Sequence, residues 1–488
     1  MKFKFQIIVK ITGVIIVIIA IAMIPAMLVS LWYREGAAAK AFAAAIAPMV
    51  LVGALLIFIT KPLTDSLRMR EGVLIVTQCW VMASILGALP YIISGAAPNF
   101  IDALFESASG FSTTGATLFS DLSHIPKGLL FWRSMTHWLG GMGILVFAIS
   151  ILPALGIGAL NLAKAEAPGP TLDKAATRIS DNAKILYMIY LSLSVIEFVI
   201  LLISGMNPYD AAIHTFASMG TGGLSSYDQG IAEFGSFAVK LTISSFCLFA
   251  SVNFIAYSAL INRKWKEFIN EPELKAFIGA IIGFSLLIGL ALWLSGVYPD
   301  PSECFGQAFL QTGAFISTSG YVSADYRMWP LVCQWLLFLL LLCGGCSSST
   351  AGGMKLIRVL VMFKLIYRNF YKRLHPRAVV SVKLGGRVVS AENASNITVF
   401  VLMYFTAIFA GSLILSIDGN DIVSTVSAVA AMLANSSSGF GKIGYLSSFG
   451  IFSPPARLFL TFLMIAGRLE LFTVFIIMTP AYWRTDRQ

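Results

Sequence analysis

Charge is scarce in this 488-residue sequence. Asp, Glu, Lys and Arg make up 12% of it, hydrophobic residues 57%, and the mean hydropathy is +0.82. Scarcity on that scale excludes an ordinary soluble domain, in which about a quarter of the residues are charged. Histidine is scarcer still, with four residues at 124, 137, 214 and 375. No H-E-x-x-H, no paired acids within an apolar run and no P-loop are spelled, so the common metal-dependent and nucleotide-dependent enzyme classes lack their residues. His137, in "RSMTHWLGGMG", reads as a packing residue near the outer end of a span rather than a ligand. The six cysteines lie mostly inside apolar runs, which excludes a disulfide framework. Cys343-Gly-Gly-Cys346 spells C-x-x-C without the βαβ setting of a redox site. No enzyme activity and no organic cofactor are expected. An A-x-A cleavage site is also missing after the first apolar run, which is too long for a signal peptide and reads as a retained span.

Long apolar runs are abundant. "IIVIIAIAMIPAMLVSLW" (15–32) and "VFVLMYFTAIFAGSLIL" (399–415) approach the length that crosses a bilayer. Ten spans are expected, at 9–32, 41–61, 73–96, 130–155, 184–204, 236–261, 275–297, 329–372, 395–416 and 455–480. With the N-terminus inside, and charges near span ends or beyond the break in the eighth span counted with the side they adjoin, the cytoplasmic segments hold 25 of the 34 Lys and Arg, the external segments hold 8, and Arg468 is left within a span. The acids divide 10 inside to 12 outside, with Glu197 and Glu470 in spans. This is the positive-inside pattern, so both termini are expected in the cytoplasm, and the formal charge of +10 reflects topology rather than nucleic-acid binding.

Four external connections share one plan. Each opens on a polar pair at i, i+3: Asn99/Asp102, Asn207/Asp210, Asp300/Glu303 and Asp418/Asp421. An N-cap followed by an acid in the first turn starts a helix, and Pro208 and Pro301 take the favoured N1 position. About three turns come after the cap, too few to cross a membrane and suited to a re-entrant half-helix. Each ends towards a glycine, Gly115, Gly222, Gly320 or Gly439, at intervals of 107, 98 and 119 residues. One such loop alone would be an ordinary glycine turn at a helix C-terminus. Four of them mark an internal repeat of span, loop and span. Extended backbone at membrane depth survives only where it is buried or lines water. Four such segments around one axis would offer rings of carbonyl oxygens to a monovalent cation.

The motifs "STTGAT" (112–117), "GTGGLS" (220–225), "STSGY" (317–321), "SSSGFG" (436–441), "GGCSSSTAGGMKLIR" (344–358) and "AGRLELF" (466–472) resemble those of the membrane subunits of Trk-type potassium uptake systems, in the Trk/Ktr/HKT superfamily. The resemblance covers essentially the whole chain, including two extra leading spans. It implies an all-α polytopic membrane protein of the bacterial inner membrane, with four repeats around a central pore. The corresponding divisions are 1–70 for the leading helices, then 71–165, 166–265, 266–390 and 391–488. It implies a potassium filter formed by Thr113, Thr114, Gly115, Thr221, Gly222, Gly223, Thr318, Ser319, Gly320, Ser437, Ser438 and Gly439. Carbonyls of Thr114, Gly115, Thr221, Gly222, Ser319, Gly320, Ser438 and Gly439 would hold the potassium ion. A homodimer and a cytosolic nucleotide-binding regulatory subunit of the TrkA type are implied as well. Sodium-preferring relatives carry serine at the first filter glycine, so Gly115 favours potassium. One departure is electrostatic: Asp121, Asp228 and Asp325 come after the first three loops, whereas Lys442 comes after the fourth.

The segment 329–372 is over-long. Its 44 residues would make a helix of about 66 Å against a hydrocarbon core of about 30 Å. It must break, and "CGGCSSSTAGG" (343–353) marks the place, by low helix propensity or as a small-residue packing face. In the family this loop lies beneath the filter and obstructs the pore. Gly344, Gly345, Gly352, Gly353, Lys355 and Arg468 are accordingly the expected gate. Arg468 is the basic residue stranded mid-span, which by default marks function. It would either contact the 344–353 loop or pair elsewhere, with Glu197 or the loop carbonyls. The basic stretch 364–377 would rest on anionic lipid or dock a partner. The alternatives to a channel-like uptake subunit are an ion-coupled symporter and a less selective sodium/potassium pathway. Repeats that all enter from one side favour a central pore.

Overall fold

The computed structural model describes residues 5–60, 69–143 and 179–483. Two leading helices, Phe5–Trp32 and Gly36–Ile59, form an antiparallel hairpin. They cross closely at a pair of glycines: a Cβ built on Gly13 would lie 2.8 Å from the Gly53 carbonyl oxygen. Glu35 ties the hairpin to the first of four repeated units, its carboxylate accepting from the backbone N–H groups of Lys127 (2.7 Å) and Gly128 (3.1 Å).

Each of the four units is a long helix, a short buried helix, an extended loop and a second helix. The short helices are Phe100–Phe111, Pro208–Met219, Pro301–Ile316 and Ile422–Leu433. Twelve residues, the length of three of them, make only about 18 Å of helix, and most side chains after the first turn are buried. The first three N-caps are those expected, Asn99, Asn207 and Asp300. The fourth is displaced: Asp421 is itself the N-cap, accepting from Ser424 N–H at 2.9 Å, while Asp418 instead accepts from Ser453 N–H. Gly419, at φ +78°, ends a 3₁₀ turn between them and resets the chain.

Among the described residues, six single helices are long and apolar enough to cross a bilayer, and two bent pairs raise the number to eight. The remaining two expected spans are accounted for differently. The fourth leaves the described residues after 143, which also puts the expected division at 165/166 outside them. The eighth is divided, as its length required, into Leu331–Cys343 and Leu356–Leu374. The two bent pairs are breaks within stretches where hydropathy alone predicts continuous helix. Phe237–Ala250 meets Phe254–Ile261 at 93°, and Pro454–Arg468 meets Phe472–Met478 at 114°. The second helices of all four units therefore stop after 13 to 15 residues, the first of them at Gly141. Beyond the third break, a two-stranded hairpin, Lys383–Leu384 with Arg387–Val388, packs Gly385 against Pro272.

Candidate functional site

Each short helix ends in the same way. A capping residue (Ser112, Gly220, Ser317 or Ala434) keeps its N–H on the carbonyl four residues back. The next residue turns left-handed: Thr113 at φ +60°, Thr221 at +54°, Thr318 at +55° and Asn435 at +50°. A β-branched residue in this region costs about 1–2 kcal/mol, so three threonines there mark a geometry that the surroundings enforce. The turn converts helix to extended backbone within one residue.

Two positions later stand Gly115, Gly223 and Gly320, at φ +74°, +71° and +69°, and in the fourth unit Ser437, which is not left-handed. This register is fixed by hydrogen bonds. The N–H groups of Gly115, Gly223 and Gly320 each reach back six residues, and those of Thr114, Gly222 and Ser436 each reach back five. The sequence alignment of Gly115 with Gly222 and Gly439 is thereby corrected. Gly222 stands one place earlier, where a Cβ would fall 2.1 Å from His137 Nδ1. Gly439 stands two places later, its carbonyl accepting the Tyr326 hydroxyl at 2.6 Å. In this register the backbone pairs that correspond are Thr114–Gly115, Gly222–Gly223, Ser319–Gly320 and Ser436–Ser437. Thr221 and Ser438–Gly439 fall outside it.

The four positions form a closed ring of neighbours. A Cβ on Gly115 would lie 1.7 Å from the Gly222 oxygen, one on Gly223 1.9 Å from the Ser319 oxygen, and one on Gly320 2.0 Å from Ser437 Oγ. Ser437 closes the circle against Gly115, its Cβ 3.5 Å from the position a Cβ there would take. Asn435 Nδ2 also donates to Thr114 Oγ1 at 3.3 Å. A second tier repeats the order: Leu122 N–H to Asp228 (2.8 Å), Tyr321 hydroxyl to the Leu224 carbonyl (3.3 Å), Tyr326 to Gly439, and Phe449 N–H to the Thr117 carbonyl (2.9 Å). Outside the ring the acids are already engaged. Hydrogen bonds from Ser123 hold the Asp121 carboxyl below the usual carboxylate range, and Arg327 does the same for Asp325.

The break at 344–355 meets the ring directly. Gly352 N–H donates to Thr318 Oγ1 at 2.7 Å, and Gly353 N–H to the Ala434 carbonyl at 3.0 Å. A Cβ on Gly352 would lie 1.9 Å from that carbonyl oxygen. The loop is pinched at its base, where Gly344 and Gly353 leave no room for side chains on each other, and Met354 N–H bonds the Leu342 carbonyl at 3.1 Å. Gly345 lies against Ala351 and Ser251. Lys355, left-handed at φ +72°, folds its ammonium back onto the Ala351 carbonyl.

The other breaks supply the loop's anchors. Freed carbonyls of Ala250 and Ser251 accept from Thr350 (3.2 Å) and Cys346 (3.0 Å) N–H groups. Arg468 donates to the carbonyls of Thr350 (2.8 Å), Gly140 (2.6 Å) and Gly141 (2.9 Å). It is thus joined to the loop, while Glu197 accepts from Ser218 and Glu470 pairs with Arg358. Glu273, fully buried, accepts from Ser347 N–H (2.7 Å), Ser347 Oγ (2.6 Å) and Ile357 N–H (3.2 Å). Sequence reasoning missed Glu273, His137 and Asn435 as parts of this assembly. Glu273 in particular is an acid in a span's first turn, and that position is the only signal it left.

Comparison with known proteins agrees with this architecture. The TrkH family model, described as a cation transport protein, matches residues 38–484. The chain is 36% identical over 484 residues to the Trk system potassium uptake protein TrkH of Escherichia coli K12, covering 98% of this chain and 99% of that one. It is 33% identical over 480 residues to TrkG of the same organism, covering 97% of each. The crystal structure of the potassium transporter TrkH from Vibrio parahaemolyticus superposes with a TM-score of 0.89 at 34% identity, covering 99% of this chain and 100% of that one.

Proposed function

The chain belongs to the TrkH family of cation transport proteins, helical polytopic membrane transporters rather than enzymes, and from that membership we propose that it takes up potassium across a bacterial inner membrane through the ring of four loops. The observation that carries the reading is the closed set of approaches among the four loops at Gly115, Gly223, Gly320 and Ser437, two of them onto the backbone oxygens of Gly222 and Ser319 and two onto the Ser437 side chain. At Gly115 and Gly223, where no Cβ fits next to a neighbouring carbonyl, a backbone oxygen stands hard against the next loop. Such oxygens can replace the water around a monovalent cation. Carbonyls of the corrected pairs, Thr114–Gly115, Gly222–Gly223, Ser319–Gly320 and Ser436–Ser437, are the proposed potassium ligands. The ends of four half-helices add partial negative charge towards the same point.

The 344–353 loop is the proposed gate. It closes on Thr318 and Ala434 and is held by Arg468, whose positive charge would oppose cation passage. Release of the loop requires the anchors at Ala250, Ser251, Glu273 and Arg468 to give way together. That suits control from the cytosolic face by a regulatory subunit of the TrkA type. A homodimer and cytoplasmic termini complete the proposed assembly.

Ion flux in proteoliposomes tests the reading, with imposed potassium, rubidium, sodium and lithium gradients. Potassium and rubidium flux well above sodium and lithium flux is expected. Equal sodium and potassium flux would overturn potassium preference, and flux requiring a co-transported ion would favour the symporter.

A further inference from the structure

Nine residues before each ring glycine stands a buried polar side chain of different chemistry: Glu106, His214 and Gln311. In the fourth unit the same place is served one residue earlier, by Ser427. Each reaches forward to the extended segment just outside the ring. Glu106 accepts from Leu118 N–H (2.5 Å) and the Thr117 hydroxyl (2.7 Å). His214 Nε2 lies 3.1 Å from Ser225 Oγ, and the Gln311 amide 3.2 Å from Ser323 Oγ. Ser427 Oγ accepts from Phe440 N–H at 3.0 Å.

The first unit is unlike the others because its pin is charged. Arg133 Nε lies 3.3 Å from Glu106 Oε2, both side chains 1% exposed, and Arg133 also donates to Thr117 Oγ1 at 3.0 Å. Burying such a pair is costly, and an apolar replacement of similar volume is often neutral or better for stability. Glu106 supplies a charge-assisted hydrogen bond to the Leu118 backbone, stronger than a neutral one, with Arg133 beside it as the counter-charge. Discrimination between cations depends on the number and placement of the carbonyl dipoles a filter offers, and a pinned loop fixes both.

We propose that Glu106, held by Arg133, is a positioning residue that fixes the loop of the first repeat and thereby sets discrimination between potassium and sodium. The inference rests on the reading of the four loops as an ion filter. The test compares wild type, Glu106→Gln/Arg133→Met and Thr117→Val in proteoliposomes, with the potassium-to-sodium flux ratio and the melting temperature measured on each. The double variant removes both charges together and is expected to fold, with the ratio reduced about tenfold, equivalent to about 1.4 kcal/mol. Thr117→Val leaves the charges paired but removes their shared hydroxyl, and is expected to lower the ratio about threefold. A folded double variant with the wild-type ratio overturns the proposal. If the double variant does not fold, an unchanged ratio in Thr117→Val overturns it instead. A wild type that fails to discriminate defeats the filter reading, a result separate from these.

Discussion

The second loop carries two adjacent glycines, and the structure gives them different reasons to be there. A Cβ on Gly222 would meet the His137 ring at 2.1–2.5 Å, a contact with a side chain. A Cβ on Gly223 would meet the Ser319 carbonyl at 1.9 Å, at φ +71°, a contact with backbone. Gly222→Ala should therefore destabilise by the roughly 1–3 kcal/mol of an overpacked site, and shrinking His137 should relieve it. In a cycle with His137→Ala, the double variant should be more stable than additivity allows by about 1–3 kcal/mol. Gly223→Ala adds about 1–2 kcal/mol of left-handed strain to a clash that His137 does not share. Its coupling to His137→Ala should stay within about 0.5 kcal/mol. Thermal unfolding of the detergent-purified protein reads both cycles. In flux assays Gly222→Ala/His137→Ala should keep potassium preference, and Gly223→Ala should lose it. Rescue of Gly223→Ala by His137→Ala, or none for Gly222→Ala, would refute the register.

The remaining predictions concern the ring and the 344–353 loop proposed as its gate. Gly115→Ser adds a side chain where the Gly222 oxygen stands 1.7 Å from the Cβ position, so sodium exclusion should fall in the same flux assay; a fully selective variant would make Gly115 an ordinary turn. Arg468→Ala removes three carbonyl contacts and a positive charge beneath the ring; basal cation flux should rise with ion preference unchanged, whereas lost insertion would show a structural role. Deleting several residues of 344–353 should likewise raise basal flux, and an inserted but closed deletion variant would reduce the loop to a kink. Glu273→Gln weakens a carboxylate that holds both Ser347 and Ile357, so hydrogen exchange at 344–353 should speed up; unchanged exchange would mean that the loop is held elsewhere.

Much of this architecture is legible in the sequence because it rests on length and periodicity. A 44-residue apolar stretch cannot be one span, and three of the four N-caps announce helices too short to cross. Register is harder to read. Glycine identity aligned Gly222 and Gly439 with Gly115, yet Gly222 is small because of a histidine in another helix, and the fourth ring position carries Ser437. The breaks at 251–253 and 469–471 contain no glycine or proline, since Asn253 caps its own restart and Glu470 and Leu471 take positive φ directly. The Glu106–Arg133 pair joins residues of two helices, and no pattern local to either could show it.

One ring of backbone oxygens, in the corrected register, is proposed to hold the transported ion. Anomalous diffraction from crystals soaked in rubidium or thallium tests it most directly. Density is expected on the axis bounded by Thr114–Gly115, Gly222–Gly223, Ser319–Gly320 and Ser436–Ser437. Density confined to other sites, or ligands drawn from Thr221 and Gly439 in place of Gly223 and Ser437, would contradict it.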